Sequence, residues 1–348
     1  MRKYLRNTLK FSTLCVFLWS ESPVLGNTDT ASTFKPGEVI MQHIKDDYSF
    51  HLFSIGHTHL TLPLPVIAFA PQAGFDIFLS SHLYDEHHLP TAYSGYLLAD
   101  GDLIRPDGLT FFEISITKNV FYMILGMFLT CWLFISIGNR YKRNPMEVPK
   151  GMQALLEPVI LFVRDEVAKP MLGKKTDRFL PYLLTVFFFI WITNMLGLLP
   201  GAANITGNIS VTMTLALITF ILTVFNGNKH YWSHIFNPPG VPPALLPLMV
   251  PIEILGIFTK PFALMIRLFA NITAGHIVVL CFVGLIFIFG KAGTSVGGSI
   301  TGLAAAIPLT LFMLALELLV AFLQAFIFTM LSATYFGMAL EEPHHDHH

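Results

Sequence analysis

A chain of 348 residues with 53% hydrophobic side chains, 32 phenylalanines and only 12% charged residues, and with a positive mean hydropathy, lies outside the range of soluble globular domains. The formal net charge of -1 and the lack of a dense basic tract give no basis for nucleic-acid binding. The composition is that of a polytopic membrane protein.

The first 26 residues carry Arg2, Lys3, Arg6 and Lys10, then a short apolar run from Phe11 to Trp19, then Val24-Leu25-Gly26. This order of charge, apolar run and small residues reads as a secretory signal peptide over 1–26. Residues 27–110 hold ten acidic residues against three basic, seven histidines and many prolines. No segment there can span a bilayer, and short alternations such as Tyr48 to Ile55 allow a few strands. A small, loop-rich extracytoplasmic region is expected.

The membrane domain is expected over 111–340. A first crossing falls at about 118–138. The segment that follows, Gly138 to Phe179, contains nine Lys and Arg, which the positive-inside rule assigns to the cytoplasm. Within it, 151–168 mixes Leu155, Val159 and Phe162 with Glu157, Arg164, Asp165 and Glu166. That pattern predicts an interfacial helix, bent or restarted at Pro158. Further crossings are expected at about 180–200 and 209–226. Asn194, Asn208, Ser210 and Thr212 lie in or near them, as helix–helix glue or as the lining of a hydrated entry path.

The loop Asn226 to Pro243 ends in NPPGVPP. Two long apolar segments follow, 245–290 and 300–340, separated by the glycine-rich KAGTSVGGS. Each is too long to cross upright at about 1.5 Å per residue, so the pair is expected as a tilted antiparallel hairpin. Parity puts the tail 341–348 in the cytoplasm. Its EEPHHDHH reads as a solvated end, not a metal site. Cys15, Cys131 and Cys281 show no paired spacing and are read as packing residues. The fold class is thus an all-α polytopic membrane protein with about five crossings, an interfacial helix and a small N-terminal region.

The costliest residue is Arg267. Apolar sequence extends for two turns or more on both sides, too far for the side chain to snorkel to a headgroup. A charged side chain at mid-membrane costs from about 3 to more than 10 kcal/mol, and arginine does not lose its proton. At 100° per residue Glu253, Lys260, Arg267 and Asn271 project within about 40° of one another as one polar stripe, while His276 points to the opposite side. In the hairpin, one antiparallel register brings Arg267 level with Gln324 and His276 level with Glu317. Glu317 and Gln324 share a helix face, with Tyr335 close to the same direction.

These residues carry a resemblance. The string KPxxLxxRLFxNxxAGH followed by LExxxAFLQAFIFTxLxxxYF resembles subunit a of the F-type ATP synthase. The similarity covers about 118–340 and includes LLP at Leu198 to Pro200 and the NISVTMTLAL stretch. The resemblance implies a proton-conducting stator subunit of a bacterial inner membrane. It would pack against a rotating c-ring whose subunits each carry a membrane carboxylate, with b subunits and a catalytic head as further partners. Arg267 matches the family's essential arginine, Asn271 and Gln324 match polar residues near it, and Glu253 and Lys260 match a stripe toward the cytoplasmic half-channel. Where bacterial relatives often have an acid this chain has His276, and where they have histidine it has Glu317.

The implied mechanism is physical. Two water-filled half-channels cannot meet without leaking, so a fixed cation must separate them. At an effective dielectric near 20 and about 4 Å, Arg267 would attract a ring carboxylate by roughly 4 kcal/mol. The chain has no GxxxxGK[ST] loop, so no catalytic residue, cofactor or metal site is expected in it. The alternative classes are a proton-coupled secondary transporter, which would transport as the purified chain, and an assembly factor, which would tolerate a neutral residue at 267. Co-isolation of a small ring-forming protein separates all three.

Overall fold

The computed structural model describes residues 46–341, apart from 56–57, 72–73, 85–90, 100, 144–147, 200–201, 204, 238–241 and 290–295. The expected signal peptide, and the tail beyond 341, lie outside the described residues. Among the described residues, seven helices of eight or more residues run in chain order: α1 (Lys118–Arg143), α2 (Met152–Phe162), α3 (Thr176–Gly197), α4 (Ile209–Phe225), α5 (Lys229–Phe236), α6 (Leu246–Phe289) and α7 (Val296–Leu340). Among the described residues, four stretches are long and apolar enough to cross a membrane: Lys118–Arg143, Met152–Gly197, Pro243–Ile286 and Ile300–Leu340. A fifth exists if α4 and α5, bent by 100° at their junction, count as one span. The protein is a mostly helical, polytopic membrane protein.

The chain divides into two units. One comprises residues up to 125 with 196–205 and 276–314; the other comprises 126–195, 206–275 and the residues from 315 on.

The first unit contains more strand than the few that the sequence suggested. A hairpin joins β1 (Ser49–Ile55) to β2 (Thr58–Pro63), β3 (Pro65–Ala70) lies between β4 (Gly74–Leu79) and β7 (Phe112–Glu113), and β5 (Leu97–Ala99) pairs with β6 (Asp102–Ile104). Alternation along β3 buries Val66, Ala68 and Ala70, since successive side chains of a strand point to opposite faces. Val66 and Ala68 join Tyr48, Phe78, Leu83 and Tyr96 in a small core. The Tyr48 hydroxyl donates to Glu113 Oε1 at 2.5 Å. The start of α1 is tied down in the same unit: Lys118 N–H donates to the Asp47 carbonyl at 2.9 Å and Asn119 N–H to Asp46 Oδ1 at 3.0 Å. Those bonds satisfy helix-terminal donors that have no intrahelical acceptor. A Cβ on Gly302 of α7 would lie 2.9 Å from the Ile286 Cα of α6. That approach is open only to a glycine, the small-residue packing typical of membrane helices.

In the second unit an aromatic cluster holds α1, α3 and α7 together. Phe134 meets Phe188 edge-on at 5.1 Å, and Phe322 meets Phe187 at 5.7 Å and Trp191 at 5.6 Å, also edge-on. In lipid the hydrophobic effect does not distinguish protein from tail, so such packing and edge-to-face geometry supply the cohesion.

Three expectations are corrected. Pro158 does not restart α2, which runs through it from Met152 to Phe162, because a proline removes one backbone bond and the rest of the helix carries through it. The irregularity comes later, as a π-helical stretch Val163–Ala168. The segment expected as an interfacial helix is helical from Met152, apart from that π-helical stretch, and lies within the stretch Met152–Gly197. The loop after the third crossing contains a helix, α5. Cys131 and Cys281 are exposed, not packed, because a membrane chain turns apolar side chains outward toward lipid or partner as readily as inward.

Candidate functional site

Within the second unit α6 and α7 run antiparallel, and their register is read from three meetings. Lys260 Nζ sits over the Tyr335 ring, 5.5 Å from its centroid. Asn271 Nδ2 donates to Gln324 Oε1 at 3.0 Å. Gly275 faces Glu317 so closely that a Cβ there would lie 2.6 Å from Glu317 Oε1. Gln324 is thus bonded one helical turn beyond Arg267, and Glu317 is seated at the residue preceding His276 in the chain.

The polar groups of the two helices differ in exposure. Glu317 is 8% exposed and Gln324 3%, whereas Arg267 and Asn271 are exposed and Glu253, Lys260 and Tyr335 are half-buried. Arg267 lies among exposed Phe262, Ile266 and Ala270. Among the described residues it makes no hydrogen bond or ion pair. His276, in the other unit, is half-buried.

The amides near the second and third crossings have local partners. Asn194 Nδ2 donates to the Ala321 carbonyl at 3.3 Å and its Oδ1 accepts from Thr206 at 2.6 Å, which ties α3 to α7. Asn208 caps α4, accepting from Ser210 N–H at 2.9 Å, a contribution of about 1 kcal/mol. Thr212 also bonds to backbone of that first turn.

A small cavity that sequence reasoning missed lies beside Lys260 and Tyr335, lined also by Thr219, Thr223 and Tyr231. The Tyr231 hydroxyl is buried with no partner among the described residues, and Tyr182 Oη lies 2.7 Å from Thr219 Oγ1. A signal was present: Thr212, Thr219 and Thr223 fall at i, i+7 and i+11, one face of α4. Tyr231 could not be read because it belongs to α5, which was expected as loop. Among the described residues no three His, Cys, Asp or Glu side chains gather as metal ligands.

Known relatives identify the family. The family model described as ATP synthase A chain matches residues 120–337, and one described as a domain of unknown function matches 39–117. ATP synthase subunit a 2 of Chlorobaculum tepidum is 39% identical over 339 residues, covering 94% of this chain and 81% of the relative. ATP synthase subunit a of Chlorobium phaeobacteroides is 45% identical over 243 residues, 68% of each chain. That of Myxococcus xanthus is 46% identical over 240 residues, 67% of this chain and 75% of the relative. With most of its length matched by the model and by relatives at these identities, the chain belongs to the ATP synthase subunit a family.

Proposed function

We propose that this chain is the non-catalytic proton-channel subunit of a rotary F-type ATP synthase, and that Arg267 is the fixed cation between its two half-channels. The observation that carries the reading is the position of Arg267. A guanidinium exposed amid apolar side chains, with no hydrogen bond or ion pair among the described residues, is too costly to leave facing lipid. A counter-charge from another chain is required. A carboxylate on each subunit of a rotating c-ring supplies it repeatedly and transiently. ATP chemistry then resides on the catalytic head, to which b subunits would connect the membrane sector.

In this reading His276 and Glu317 handle protons on the extracytoplasmic side. Glu253, Lys260 and Tyr335, with the cavity beside them, line the cytoplasmic side. Asn271 and Gln324 hold the helix pair in register next to the cation, and Asn208 and Ser210 shape the start of α4. Arg267→Ala should abolish ATP-driven proton pumping in inverted vesicles while the complex still assembles. Normal pumping by that variant would overturn the reading. Orientation is a separate proposal: the acidic N-terminal region is extracytoplasmic and the basic segment after α1 cytoplasmic. With native cysteines replaced by serine, an impermeant maleimide outside the cell should label a Cys at Ser54 and not one at Asn144; the opposite pattern inverts the assignment.

A further inference from the structure

The three-stranded sheet of the first unit has two unlike faces. One buries Val66, Ala68 and Phe78 in the small core. The other carries half-buried Phe69 and exposed Phe75, Ile77, Leu79, Phe112 and Ile114: Phe75 is 68% exposed, Ile77 70%, Phe112 65% and Ile114 61%. They form one patch, because the register sets Phe69 opposite Phe75 on one side and Phe112 on the other, and Ile67 opposite Ile77. The Phe69 and Phe75 rings are 4.6 Å apart. Contiguous apolar patches of this kind on water-exposed surfaces mark a contact with something else.

What covers it is indicated by where the sheet is anchored. Ile114 precedes Lys118, the first residue of α1, by four positions, so the two are separated by at most about 14 Å even if the chain is fully extended. The link is not loose. Ile116 N–H donates to the Pro65 carbonyl at 3.1 Å, and Asp46 and Asp47 accept from the first amides of α1. The sheet is therefore fixed at the point where the chain enters the bilayer. Interfacial elements seat their apolar side about 5–10 Å into the boundary between headgroups and acyl chains, a depth within reach of β7 and its neighbours. On the first turns of α1 the exposed side chains are themselves apolar, Phe121 and Ile124, so the patch continues along the chain into a lipid-facing surface.

We propose that the outer face of the β4-β3-β7 sheet is a membrane-binding surface, resting in the headgroup and upper acyl region of the extracytoplasmic leaflet beside α1. The N-terminal region then lies on the bilayer and does not project from it, and the sheet steadies the entry angle of the first crossing. No charged side chain among the described residues of the patch points toward the lipid. Glu113 turns the other way, to Tyr48.

The test uses the whole ATP synthase reconstituted in lipid vesicles, with Cys15, Cys131 and Cys281 replaced by serine. A nitroxide is attached to a single Cys at Phe75, Ile77 or Phe112 in turn, so that poor assembly at one position leaves two others, with exposed Asp102 as the reference. Collision with oxygen should exceed collision with a water-soluble nickel chelate at all three patch positions, and the order should reverse at Asp102. Chelate accessibility at the patch like that at Asp102 would overturn the proposal by placing the face in water. Protection from both reagents would overturn it by placing the face against protein, whether another subunit, a second copy or residues 27–45 of this chain.

Discussion

Helices α6 and α7 have 44 and 45 residues and the same mean apolar character, yet within the second unit they place their polar side chains in opposite ways. Arg267 and Asn271 of α6 are on the surface of the chain, whereas Glu317, Gln324, Thr329 and Ser332 of α7 are buried. Three of these four buried groups bond inside the chain. Gln324 accepts from Asn271, and Thr329 and Ser332 donate to the carbonyls of Ala325 and Phe328 one turn back. The exposed arginine is not so accommodated, and its energy is set by what lies outside. One helix thus turns polar groups outward and the other inward, a distinction that hydropathy alone does not carry.

The strongest way to break this contrast is to remove the outward charge and keep a polar side chain. Arg267→Gln should leave assembly near normal, since the side chain packs little against its own chain, while ATP-driven proton pumping falls to background. If the attraction to a ring carboxylate is roughly 4 kcal/mol, its loss corresponds to about a thousandfold in rate. A variant that assembles poorly and pumps in proportion to its abundance would show that Arg267 acts as a packing residue.

The next effect concerns His276 and Glu317, proposed as one proton-handling pair. An imidazole and a carboxyl can each take up and release a proton. His276→Ala and Glu317→Ala should each slow pumping about tenfold or more, in line with loss of a positioned proton carrier, without uncoupling ATP hydrolysis from transport. The exchange His276→Glu with Glu317→His should recover part of the rate. Singles at wild-type flux, or an exchange no better than the worse single at matched abundance, would reject the pair.

The helix hairpin was legible because polar residues in apolar helices are few and the 3.6-residue period fixes their directions. The level of Glu317 along α6, where it faces Gly275, could be approached on sequence alone. The hydrogen-bond partner of Gln324 could not, since Arg267 and Asn271 lie one turn apart on the same face and only side-chain geometry chooses between them. Inward or outward direction was also hidden. A period identifies a stripe but does not say whether the stripe meets the chain's own interior or a partner, so the cysteines were assigned to the wrong side. Pro158 misled for a related reason. Soluble rules end helices at prolines, yet Pro158, Pro251, Pro261 and Pro308 all lie inside helices, which neighbouring segments of a membrane protein tolerate. The strands around β3 depend on pairing with residues 112–113, far off in sequence, and local alternation could not predict that partner.

A smaller effect separates the two helices' contributions at their bonded pair. Asn271→Leu and Gln324→Leu each break one hydrogen bond, with a net contribution of about 1 kcal/mol. The second leaves Asn271 free to bond water or a partner, whereas the first leaves Gln324 unpaired in a buried position, which costs about 1–3 kcal/mol. Asn271→Leu should therefore lower the thermal stability of the complex more than Gln324→Leu, and the double variant should be less harmful than the sum of the singles. Strict additivity in a thermal-denaturation cycle would mean that the bond contributes nothing in the assembled complex.

The smallest effect lies at Lys260 and Tyr335, where the contrast between the helices is weakest because both side chains are half-buried. The ammonium sits over the ring face, an arrangement worth about 0.5–1 kcal/mol at exposed sites and about 2 when desolvated. It depends on the aromatic ring and not on the hydroxyl. Tyr335→Phe keeps the ring and should pump near the wild-type rate, whereas Tyr335→Leu removes the face that steadies the ammonium. The Leu variant should pump roughly two- to fivefold more slowly, the kinetic equivalent of about 0.5–1 kcal/mol. The two variants also separate this role from proton carriage by the phenol, because a carrier hydroxyl would make Phe as harmful as Leu. Initial rates of ATP-driven acidification at equal complex abundance make the comparison, and equal losses in Phe and Leu would move Tyr335 from positioning the lysine to carrying the proton itself.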